Sequence, residues 1–102
     1  ANQEDFVSMG SVGALHLRKS IYNLKMIIGV ELLIAVRALQ ITSDILPDAL
    51  NRLGNGTDAA FRHAGRLMPP VREDQYLRLD MEKAIAIVES GQLLEVTSDC
   101  FI

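Results

Sequence analysis

Apolar positions recur along the first part of the chain at helical intervals. Leu17, Ile21, Leu24, Ile28, Leu32, Ala35 and Leu39 follow one another at spacings of three or four residues. That is the stripe of one helix face. No proline interrupts the chain before Pro47. The pattern therefore predicts a single helix over residues 8–41, on the order of 50 Å long at 1.5 Å per residue. Its two halves differ. Residues 11–25 are amphipathic, with Arg18, Lys19, Asn23 and Lys25 available for a polar face. Residues 26–39 are apolar nearly all round, interrupted only by Glu31 and Arg37. A helix apolar on every side must be covered on every side. The sixty residues that follow are few and polar, so the long helix is expected to need a partner. Cover by the chain's own short helices is the other reading.

After residue 41 the pattern breaks into short pieces. Residues 42–56 form a linker with a short helix opened by Pro47-Asp48, since Pro suits the first turn and Asp the positive end of the helix dipole. Gly54-Asn55-Gly56 closes it. Thr57 is the expected N-cap of a helix over 57–68, with Phe61, Ala64 and Leu67 or Met68 facing inward. Pro69-Pro70 stops that helix. Asp80 is expected to cap a last helix over 80–90, whose apolar face is Met81, Ala84, Ile85 and Val88, with Gly91 at its C-terminal end. Residues 91–102 read as a tail. The fold class is all-α: one very long helix, then two or three short ones, in a helical-bundle fragment that self-associates.

Composition narrows the function classes. The chain has 102 residues, 49% of them apolar and only 5% aromatic, without Trp. The core must be built from Leu, Ile, Val, Met and Ala, which suits helices. Ten basic and thirteen acidic residues leave a net charge of −3. No basic field is present to hold a nucleic-acid backbone. The apolar run 26–39 is shorter than the ~20 residues of a membrane span and carries charge. The start of the chain lacks the basic and apolar regions of a leader peptide. One cysteine, Cys100, makes no internal disulfide, in keeping with a reducing compartment. A cytoplasmic protein is expected.

The chemistry concentrates in residues 2–10, Asn-Gln-Glu-Asp-Phe-Val-Ser-Met-Gly. Four polar side chains precede a long helix. The amides donate and accept hydrogen bonds. A carboxylate among them is a candidate general base if burial raises its pKa. Acidic residues are also common here simply because they complement the helix dipole. His16 and His63 lack a second ligand one helical turn away, so surface or structural roles are expected rather than a metal site. Cys100 is expected to be a free, inert thiol. The run Arg72-Glu73-Asp74 is expected to be solvated. Met9, Met26, Met68 and Met81 are expected in the core. Glu31 must find a partner or water, because an unpaired buried carboxylate is costly; a structural hydrogen bond to another helix is the expectation.

The opening stretch resembles the Gln-Glu-Asp-His-Val-Ser-Met-Gly signature of histidine ammonia-lyases and of related tyrosine lyases and aminomutases. Gln3-Glu4-Asp5 and Val7-Ser8-Met9-Gly10 match as they stand. The run 28–39, Ile-Gly-Val-Glu-Leu-Leu-Ile-Ala-Val-Arg-Ala-Leu, is similar to the family's Ala-Val-Glu-Leu-Leu-Ala-Ala-Ala-Gln-Ala-Leu type of helix. Glu73-Asp74-Gln75-Tyr76, Asp80-Met81-Glu82 and Ser90-Gly91-Gln92-Leu93-Leu94 resemble its closing helices. The weakest stretch is 42–58. The resemblance implies a C-terminal fragment beginning inside the motif, with residues 1–7 as an active-site loop. It implies elimination of ammonia from an amino acid to give an α,β-unsaturated acid, with the aminomutases returning the amine at the β-carbon. It also implies a methylidene-imidazolone electrophile made from an internal Ala-Ser-Gly. No such triplet occurs here; Ser90-Gly91 follows Glu89. The fragment alone is therefore expected to hold no prosthetic group and to be inactive.

Carried over position by position, Glu4 matches the signature glutamate near the substrate's amino group and the electrophile, in an electrostatic or proton-handling role. Gln3 and Asn2 flank it as substrate-orienting candidates. Phe6 stands where histidine lyases carry His, which leans toward tyrosine as substrate. The family's long helices from four subunits pack together, so a dimer or tetramer through the long helix is expected. A tyrosine aminomutase fragment, or a small helical interaction module without an enzymatic parent, are the competing readings.

Overall fold

A computed structural model describes the backbone of residues 2–71 and 73–101, with side chains from Met9 onward over that range. All of its regular elements are helical. Helix α1 spans Asn2–Ile45, 44 residues. A short 3-10 turn, Ala49–Arg52, leads to α2, Asn55–Leu67. Helix α3 spans Arg78–Ser90 and α4 spans Gln92–Thr97, followed by a second 3-10 turn, Ser98–Cys100. The molecule is 67 Å in its longest dimension, which is the length of α1.

The observed helices are longer than the sequence pattern predicts, each for a local reason. The backbone from Asn2 continues α1 without a loop over 1–7, because no Gly or Pro occurs before Gly10 and acidic residues suit the first turns. At its other end α1 runs through Thr42, whose hydroxyl donates back to the Ala38 carbonyl at 2.7 Å. It stops at Ile45, just ahead of Leu46, the residue that Pro47 pushes out of helical backbone. Helix α2 starts two residues before Thr57, with Gly54 at its N-cap and no side-chain cap. Helix α3 starts at Arg78 from an N-cap at Leu77, so Asp80 lies inside its first turn. The expected tail is helical. Gly91, with φ of 76°, ends α3 in the left-handed region and lets the chain turn straight into α4.

The core sits where α3 crosses the second half of α1, with α2 and α4 alongside. It comprises Leu33, Val36, Ala64, Met68, Ala84 and Ile87, flanked by Leu32, Phe61, Met81 and Leu93. The face of α1 turned inward is Gly29, Leu33, Val36 and Gln40. It is not the stripe of Leu17, Ile21, Leu24 and Ile28, all of which are exposed, while Leu32 and Leu39 are half-buried. A helix apolar on every side carries no periodic signal for which side is chosen. Gly29 makes the choice: a Cβ there would lie 2.6 Å from Ile85 Cγ1 and 2.9 Å from the Ile85 Cα. The missing side chain lets the α3 backbone approach α1 closely. Met68 is fully buried, but Met9 and Met26 are exposed, against the expectation that all four methionines are core.

Candidate functional site

The side chains of Asn2, Gln3 and Glu4 lie outside the described residues. Their backbone forms the first turn of α1, and α3 packs on the second half of the same helix. From Met9 through Ile28 every residue of α1 is exposed, so the motif-bearing half projects away from the chain's own core.

The polar centre that the structure does assemble lies at the other end of α1. Arg37 donates from one guanidinium nitrogen to Asp80 Oδ2 on α3 at 2.6 Å. From the other it donates to Gln40 Oε1 at 3.0 Å and to the carbonyls of Met68 and Pro69. Gln40 Nε2 also donates to the Met68 carbonyl at 2.9 Å, and Gln75 Nε2 reaches Asp80 Oδ2 at 3.4 Å. The carbonyls that end α2 are thus satisfied by α1, at the pole of α2 where positive charge is favourable. Gln40 and Asp80 are both buried. Charge-assisted bonds of this kind tie three helices into one joint. Among the described residues no buried side-chain nitrogen or oxygen lacks a partner, so this centre has no spare group aimed at a substrate. It is a clasp.

Sequence reasoning did not find this clasp. Arg37 and Asp80 are 43 residues apart, and Asp80 read as an ordinary helix cap. The one available signal was Arg37 itself, a cation in an otherwise apolar run.

The remaining candidates have plain surroundings. Glu31 is exposed on α1 and meets water rather than another helix of this chain. His16 is exposed; His63 Nε2 shares a 2.8 Å hydrogen bond with Gln92 Oε1, joining α2 to α4. No metal-binding group of acidic, His or Cys side chains occurs among the described residues. Cys100 is free and half-buried. Glu73 and Asp74 are exposed; Arg72 lies outside the described residues. Arg62 and Arg78 are held above the ordinary arginine value, the first by its hydrogen bond to Asp58, the second by hydrogen bonding to Tyr76 and then Glu82. Both pairings are surface features. No described helix is long and apolar enough to cross a membrane.

Ser90-Gly91, the only serine–glycine step near a helix end, does not fit the family's electrophile. The Ser90 hydroxyl donates to the Ile87 carbonyl at 3.1 Å, and Gly91 makes the turn between α3 and α4. Both residues close a helix.

The family model of the aromatic amino acid lyases matches residues 1–65, which takes in the opening motif and all of α1. The chain belongs to that family. Its similarity to individual members reaches past α1 into the closing helices. It is 35% identical over 96 residues to histidine ammonia-lyase from Deinococcus radiodurans, covering 94% of this chain and 17% of that protein. It is 33% identical over 99 residues to histidine ammonia-lyase from Caldanaerobacter subterraneus subsp. tengcongensis, covering 97% and 18%. The Bartonella henselae histidine ammonia-lyase is 35% identical over 99 residues, with the same coverage. The lyase segment therefore spans less than a fifth of the length of these relatives. No solved structure matches it significantly.

Proposed function

We propose that this segment is the C-terminal part of an ammonia-lyase that eliminates ammonia from histidine or tyrosine to give the α,β-unsaturated acid. The observation that carries the reading is the family match over residues 1–65, which contains Gln3-Glu4-Asp5. Glu4 stands on the active-site wall and handles charge or a proton near the substrate's amino group. Gln3 and Asn2 orient the substrate beside it. The methylidene-imidazolone electrophile, which supplies the electron sink for elimination, belongs to another part of the parent chain, since no Ala-Ser-Gly occurs here. The segment by itself is inactive. Its second contribution is assembly: α1 exposes apolar side chains on the sides that its own helices leave uncovered, and the parent is a homo-oligomer through that helix. A cytoplasmic enzyme with a free thiol fits this picture.

The relatives' names favour histidine as the substrate. Phe6 favours tyrosine, and with it the aminomutase reading. A whole lyase carrying this segment separates the three, assayed with each amino acid for the acrylate by ultraviolet absorbance and for a β-amino acid by chromatography. In that enzyme Glu4→Gln is expected to lower kcat by about 10²- to 10⁴-fold, the range of a positioned proton-handling group. An unchanged kcat would remove Glu4 from the site. The family match favours a lyase parent over the helical interaction module.

A further inference from the structure

Between Leu17 and Ile45 the side of α1 opposite Gly29, Leu33 and Val36 is exposed and apolar, and Glu31 is its only charge. The apolar positions stand at equal distances before and after that charge. Ile28 and Ile34 flank it by three residues, Leu24 and Ala38 by seven, Ile21 and Ile41 by ten. All six are exposed, with Ile34 at 62% and Ile41 at 60%. A helix face patterned alike in both directions from its midpoint complements a reversed copy of itself, which is what a two-fold contact requires. A helix of different sequence would place no such demand on the spacing.

We infer that this face is a self-pairing surface, on which a second copy of α1 lies antiparallel with the crossing within one turn of Glu31. The inference rests on the association reading above and adds its face, its orientation and its centre. Orientation follows from the charge. In a parallel, in-register pair each Glu31 stands level with its copy inside an apolar seam, where like charges repel and desolvation is costly. In the antiparallel pair a slip of up to one turn separates the two carboxylates and still sets Leu24 beside the stretch around Ala38 of the other copy. Glu31 thus lowers the affinity while disfavouring the parallel arrangement, the use of a lone polar residue in a helical seam that is best attested.

Thiol cross-linking of the 102-residue chain in a Cys100→Ser background tests this. Leu24→Cys and Ala38→Cys, mixed and treated with a short bifunctional maleimide, are expected to give a covalent 24–38 dimer, while neither variant alone cross-links to itself. Self-cross-linking of either variant would show a parallel pair and overturn the inference. A monomeric mass for the mixture at high concentration would overturn it too, and would leave the face to another part of the lyase. Glu31→Leu is expected to tighten the dimer about tenfold or more, as relief of a buried charge does; an unchanged dissociation constant would take Glu31 off the seam. None of these readouts depends on ammonia-lyase activity, which is tested separately in the parent enzyme.

Discussion

Two glycine environments in α1 give opposite expectations for the same substitution. At Gly29 an added methyl group meets Ile85 backbone and side chain inside van der Waals distance. Gly29→Ala must therefore push α3 away from α1, and is expected to destabilise the chain by about 1–3 kcal/mol. At Gly10 and Gly13 nothing lies within 4 Å, and alanine there is expected to stabilise the helix by about 0.8–1 kcal/mol. Urea denaturation followed by circular dichroism measures both. The clasp supplies a second contrast. Arg37→Met leaves Asp80, 10% exposed in its side chain, without its cation and frees the carbonyls that end α2. A loss of about 2–4 kcal/mol is expected, somewhat below the full cost for a completely buried pair. The surface pair Arg62–Asp58 is 69% exposed on the arginine side, and Arg62→Met is expected to change stability by less than about 1 kcal/mol.

The elements differ in how well the sequence announced them. Helix type and order were legible, because proline placement and apolar spacing are local signals. The inward faces of α2 and α3 were partly legible: Ala64, Met68 and Ala84 are buried as their spacing implies, while Ile87 is buried and was missed. The inward face of α1 was not legible, since every side of residues 26–39 is apolar and only the meeting of Gly29 with Ile85 selects one. Helix α4 was missed because six residues after a glycine carry too little periodicity to stand out. The packing also divides α1 in two. Residues 29–45 are held by α3, α2 and the clasp, whereas the stretch from Met9 through Ile28 is exposed throughout. Hydrogen exchange by mass spectrometry on dilute chain is expected to show fast exchange over 9–24 and protection over 29–41. Uniform protection along α1 would mean that the exposed half is already covered.

At the scale of the whole molecule, a chain that covers under a fifth of its relatives' length retains two of the parent's resources: a motif-bearing helix end and an assembly face. The core that joins the two lies 25 or more residues beyond the motif along α1. The candidate site was legible only through the motif at Gln3-Glu4-Asp5; its other members belong to stretches that this sequence does not contain, and no spacing within 102 residues encodes them. The most direct measurement is the appearance of acrylate from histidine and from tyrosine, followed by ultraviolet absorbance, for the purified 102-residue chain beside a whole lyase that carries the same segment. The account expects product from the whole enzyme, loss of most of its rate with Glu4→Gln, and no product from the segment alone. Turnover by the segment alone would contradict it.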